Sequence, residues 1–77
     1  MKMSYDKLWK LLIDKKMTRS AMRNEAGISS SSLAKLGKGE NVTTEVLCRI
    51  CQTLHCDVAD IMEFVPDEDN QNNNKER

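Results

Sequence analysis

This 77-residue chain is short of most things that catalysis, membranes or disulfide frameworks require. It has one histidine, one proline and three glycines. No segment approaches the roughly 20 apolar residues of a membrane-spanning helix. The N-terminus has no apolar stretch followed by a small-residue cleavage site, so no secretory signal is expected and the location implied is cytoplasmic. Three cysteines, an odd number, suit a reducing compartment better than a disulfide scaffold. There is no glycine-rich phosphate loop and no recognisable acid pair. A chain of this length could hardly enclose a substrate pocket and a core together. The expectation is therefore no enzyme, no cofactor, no membrane contact and no small-molecule ligand. Alternating apolar and polar runs bounded by turns are also missing, so no sheet is expected.

Excess charge of either sign is absent too: twelve Lys and Arg balance twelve Asp and Glu. That neutrality is a sum of unlike parts. Through Val58 there are ten bases and six acids, a net of +4; from Ala59 onward there are two bases and six acids, a net of −4. A basic module followed by an acidic end is the asymmetry of a nucleic-acid binder with a tail. The modest +4 implies few phosphate contacts.

What the sequence does contain is a run of well-placed punctuation between Thr18 and Glu40, TRSAMRNEAGISSSSLAKLGKGE. Thr18 can cap a helix by accepting from a free backbone N–H. Ala21, Met22 and Ala26 are the apolar positions of that short helix, and Gly27 can end it in the left-handed region at no steric cost. Ile28 then plugs the turn. Ser29 can cap a second helix to about Lys38, which Gly39 can close. Two short helices joined this way form a helix-turn-helix, whose second helix fits a DNA major groove.

On that second helix Leu33 and Leu36 share the core face. Ser30, Ser31, Ala34, Lys35 and Lys38 lie opposite, with no acid among them. Hydroxyls can bond base edges, Ala can touch a thymine methyl, and Lys can reach guanine or phosphate. The plainer alternative is a solvated polar face on a small helical domain.

The segment Tyr5 to Met62 resembles the Cro/repressor-type helix-turn-helix of the XRE family of bacterial and phage regulators. The resemblance rests on Met22, Ala26, Gly27, Ile28, Leu33, Leu36 and the closing KGE, followed by VTTEVLCRICQTL and HCDVADIM. It implies an all-α, compact five-helix, lambda-repressor-like DNA-binding domain. It places Ser30, Ser31 and Lys35, with Ala34 beside them, at base-contacting positions. Arg19, Lys38 and Asn41, with the capping Thr18, fall where phosphate is commonly touched. Two residues depart from the family pattern. Arg23 stands where a small residue is usual, so its stem would have to snorkel outward. Arg19 replaces a frequent Gln.

Around the motif, Ser4 can cap a first helix from Tyr5 to about Lys16. Its stripe of Tyr5, Leu8, Trp9, Leu12 and Ile13 has spacings of three and four. Trp9 reads as a core or interface anchor rather than a base-stacking group. Thr43 or Thr44 caps a fourth helix with Leu47, Ile50, Cys51 and Leu54 inward, and His55 as its last residue. Asp57 caps a short fifth helix, with Asp60 completing a capping-box variant and Val58, Ile61 and Met62 closing the core. The domain is expected to span 1–66, with the motif at about 18–40 and a disordered polar tail at 67–77.

Cys48, Cys51 and His55 would lie within about 60° on a helix and have ligand-like spacing. Structural metal sites usually join two elements, whereas these groups crowd one helix end, so no metal is expected. The functional expectation is a sequence-specific DNA-binding transcriptional regulator, more a repressor than an activator, binding double-stranded DNA as a homodimer. The alternative is a protein-interaction module, antitoxin-like or accessory, on the same scaffold.

Overall fold

The computed structural model describes residues 1–67. They form β1 (Lys2–Ser4), α1 (Asp6–Asp14), α2 (Arg19–Ala26), α3 (Ser30–Lys38), α4 (Thr44–Leu54), a 3-10 turn (Val58–Asp60) and β2 (Glu63–Val65). The expectation of five helices is corrected to four. Asp57 and Asp60 do form the capping box, with Asp57 N–H donating to Asp60 Oδ2 at 3.0 Å. The segment stops after one turn because Ile61 drops into the core, fully buried, and the chain becomes extended at Glu63.

Short-range hydrogen bonds set the helix starts. Thr18 Oγ1 accepts from Ala21 N–H at 3.0 Å, Ser29 Oγ from Ser32 N–H at 3.1 Å, and Thr43 Oγ1 from Val46 N–H at 3.2 Å. Each satisfies a donor the helix itself cannot. The first helix is shorter than expected and begins at Asp6, with Ser4 Oγ accepting from Asp6 N–H at 3.3 Å.

All four helices end alike. A left-handed residue follows each, and the next N–H reaches back five residues: Met17 to Leu12, Ile28 to Arg23, Glu40 to Lys35 and Cys56 to Cys51. Gly27 (φ 69°) and Gly39 (φ 73°) take this role as expected. Lys16 (φ 57°) and His55 (φ 56°) do it without being glycine. His55 therefore closes α4 rather than extending it.

The core gathers Leu8 and Leu12 from α1, Met22 and Ala26 from α2, Leu36 from α3, and Ile50 and Leu54 from α4. Tyr5, Ile28 and Ile61 join them from the connecting segments. α4 packs on α2, the first motif helix. The expected stripe of α1 fails at one position: Ile13 is 74% exposed. Val58 is also largely exposed, and Met62 is half-buried against the core.

A second correction concerns the sheet. β1 and β2 pair antiparallel, with Lys2 opposite Val65, Met3 opposite Phe64 and Ser4 opposite Glu63. Strands of three residues are too short to show a period of two. The pairing ties the two ends of the domain together. Lys7 Nζ adds to it by donating to the Ala59 carbonyl at 3.1 Å, and Met1 N donates to Asp67 Oδ2 at 2.9 Å. Phe64 stays 63% exposed and does not complete the core. The expected tail begins at Asp67, and all of it beyond that residue lies outside the described residues.

Candidate nucleic-acid interface

The α2–α3 turn is closed by backbone hydrogen bonds over a buried side chain. Gly27 and Ile28 N–H groups both donate to the Arg23 carbonyl, at 3.0 and 3.2 Å, and the Ile28 side chain is buried beneath. That fixes α3 against α2 with Leu36 inward and Leu33 half-buried. Arg23, where a small residue is usual, is half-buried.

The rotation so imposed leaves Ser30, Ser31, Ala34, Lys35 and Lys38 all exposed. Lys35 and Lys38 occupy the last turn of α3, where cations suit the helix dipole. The serines are not equivalent. Ser29 Oγ, the cap, lies 3.0 Å from Ser31 Oγ and donates to Ser32 Oγ at 3.1 Å. Ser31 is therefore tied to the cap, whereas Ser30 has no side-chain hydrogen bond among the described residues.

The residues expected to touch phosphate are likewise exposed. Thr18 and Arg19 stand exposed at the start of α2. Asn41 is exposed in the loop after α3. That loop is anchored to the first helix by Tyr5, whose hydroxyl donates to the Glu40 carbonyl at 3.0 Å. Burial raises the Tyr5 phenol pKa above its ordinary 10.0.

Two arrangements have no counterpart in the sequence reading. The Arg19 guanidinium stacks over the Trp9 ring, 3.8 Å from its centroid. A shallow groove of about 380 Å³ runs between β1, the start of α1 and the end of α3, lined by Lys2, Trp9, Gly37 and Lys38 among others. Residue spacing could not show either, because β1, α1, α2 and α3 meet there only in the folded chain.

The cysteines sit away from this face. Cys48 is exposed, and Cys51 and Cys56 are half-buried. The Cys51 thiol is pushed up to about 11, first by burial and then by Cys56, Asp57 and Cys48 nearby. Among the described residues no three His, Cys, Asp or Glu groups are placed to hold a metal ion. None of the described helices is long and apolar enough to cross a membrane.

The family model of the Cro/C1-type HTH DNA-binding domain matches residues 7–67. The crystal structure of the transcriptional regulator VanUg, Form II, is similar to this chain. The two share 52% sequence identity over 86% of this chain and 88% of that one, with a TM-score of 0.83. Comparison with curated proteins gives no match.

Proposed function

The chain belongs to the family of Cro/C1-type HTH DNA-binding domains, and on that footing we propose that it is a sequence-specific transcriptional regulator, a repressor, that reads the major groove with α3. The observation that carries this reading is the exposed, acid-free face of α3, made of two exposed serines, an alanine and two lysines. Ser30, Ser31, Ala34 and Lys35 contact base edges in this reading, with Lys35 central. Thr18, Arg19, Lys38 and Asn41 contact the phosphates on either side. Thr18 Oγ1 accepts within its own cap, so it meets phosphate as a donor. The similarity to a structure described as a transcriptional regulator supports the regulatory role. A small domain lying in the groove acts by occupying its site, which favours repression. Access to DNA implies a cytoplasmic location.

One recognition helix covers only part of a helical turn, and domains of this motif commonly bind as two-fold pairs on half-sites about 34 Å apart. The proposal therefore includes a homodimer. Its surface is the β1–β2 end, where Met1 and Phe64 are 83% and 63% exposed.

Selection of bound sequences from a random duplex pool tests the reading. Enrichment of a short two-fold motif is expected, with affinity that falls steeply as salt rises. Recovery of no motif, together with no salt-dependent binding to mixed-sequence duplex, would overturn it.

A further inference from the structure

Three observations meet at Arg19. Its guanidinium carbon lies over the Trp9 ring, 3.8 Å from the centroid. A Cβ built on Gly37 would stand 3.6 Å from Arg19 Nη1, so the same guanidinium also reaches the last turn of α3. Arg19 is moreover the first residue of α2, and that first turn holds no acid. A cation there opposes the positive end of the helix dipole. Among the described residues no carboxylate forms a salt bridge with it. Arg19 is thus kept in an electrostatically unfavourable place and is held by an aromatic face instead of an anion. Stacking covers the face of a guanidinium and leaves its in-plane N–H groups free to bond an oxyanion.

We propose that Trp9 is a positioning residue for DNA binding: it pre-orients Arg19 over the end of the recognition helix as a phosphate clamp. This deepens the DNA-binding reading and rests on it. The arrangement explains how Arg19 serves where the family usually has Gln. A long cation with many rotamers loses entropy when it is immobilised on a phosphate. The Trp9 ring removes part of that cost before DNA arrives. It also decides a local question of chemistry: the ring is occupied by Arg19 and is not offered to a base. The setting is mixed in charge: Lys2 and Lys38 line the groove beside Trp9 and Gly37 together with Asp6 and Glu63, so the cation offered to phosphate is Arg19 itself.

Trp9 is the only tryptophan, so its fluorescence reports the stack directly. The test is a double-mutant cycle with Trp9→Leu, Arg19→Ala and the double variant, plus Trp9→Phe as the conservative control. Each is assayed on mixed-sequence 20-base-pair duplex across a salt series, with melting curves for each. Arg19→Ala should alter the Trp9 emission of the free protein, weaken binding several-fold and reduce the salt slope by about one. Trp9→Leu should weaken binding by about two- to fivefold, the scale of an exposed cation–π contact. The double variant should bind no worse than Arg19→Ala, and Trp9→Phe should recover most of the affinity. If Trp9→Leu fails to fold, Arg19→Ala still decides through emission and salt slope, and Trp9→Phe through affinity and salt slope. Additive losses, or a wild-type affinity and slope in Arg19→Ala, would overturn the clamp while leaving DNA binding intact. A wild type with no salt-dependent duplex binding overturns the DNA-binding reading, and the clamp with it.

Discussion

Lys35 illustrates how little of a side chain's role is fixed by type and how much by rotation of its helix. It is exposed because Leu36 is buried next to it and Leu33 half-buried on the same inward side. Replacing Lys35 by Ala removes a proposed base contact and no core contact. The expected cost is about 1–3 kcal/mol on the preferred site, with an unchanged circular dichroism spectrum. Undiminished affinity for that site would remove Lys35 from the reading face. Cys51 carries a different prediction. Its folded thiol titrates at about 11 against an ordinary 9.0, so the folded state holds this proton more tightly than the unfolded one. The contribution to stability is complete below about pH 9 and is lost as pH rises toward 11. Tyr5, raised by burial, acts in the same direction. Melting in reductant between pH 7 and 11 should show a steeper alkaline loss for wild type than for Cys51→Ala. Parallel curves would mean that Cys51 does not couple to folding.

At the scale of elements, the α2–α3 corner depends on one backbone conformation. Gly27 sits at φ 69°, and a Cβ there would meet Arg49 Nη1 at 3.4 Å. A β-branched residue at this φ is a severe outlier. Gly27→Val should lose more than about 1 kcal/mol of stability, read as a lower melting temperature. A variant that melts with wild type would show that the corner can turn by another route. The approach to Arg49, the end of a flexible side chain, is ordinary van der Waals contact, so the cost of the substitution comes from the backbone conformation. The Arg49–Glu45 pair on α4 is exposed and is expected to matter far less than the corner does.

For the whole molecule, the join between its two ends is the feature to test. Asp67 is the last described residue, and its carboxylate meets the Met1 ammonium in an exposed pair. Residues 67–77 carry four acids and two bases. Deleting them removes that pair, worth about 0–1 kcal/mol, and no apolar contact of the core. The fold should persist, and duplex binding at low salt should tighten slightly as repulsion from phosphate falls. An unfolded truncation, or weaker binding at matched salt, would give the segment a structural or binding role. The exposed Phe64 raises the question of assembly. Sedimentation from micromolar to hundred-micromolar protein should show self-association in wild type and its loss in Phe64→Ser. A monomer that also binds a two-half-site duplex without cooperativity would exclude the homodimer.

The sequence alone determined the helices of the motif, because their signals act within a single turn. A Thr or Ser oxygen either meets the N–H three residues on or it does not. Gly27 and Gly39 take a positive φ for reasons that lie in their own missing Cβ. The spacing of Leu8 with Leu12, Met22 with Ala26 and Ile50 with Leu54 marks inward faces, since a helix repeats every 3.6 residues whatever it packs on. The exposed face of α3 was legible for the same reason, as the complement of Leu33 and Leu36. Tertiary structure decided the rest. Ile13 belongs to the apolar stripe of α1 by spacing, yet no element among the described residues covers it. Lys16 and His55 adopt φ values that their side chains disfavour, where the N–H of the next residue closes the helix end by donating to the Leu12 and Cys51 carbonyls. The 3-10 turn is a single turn because Ile61 turns into the core. The β1–β2 pairing and the Trp9–Arg19 stack join residues whose separation along the chain carries no periodic signal. Contacts of that kind depend on where whole helices come to rest, and that is set by the filling of a shared core.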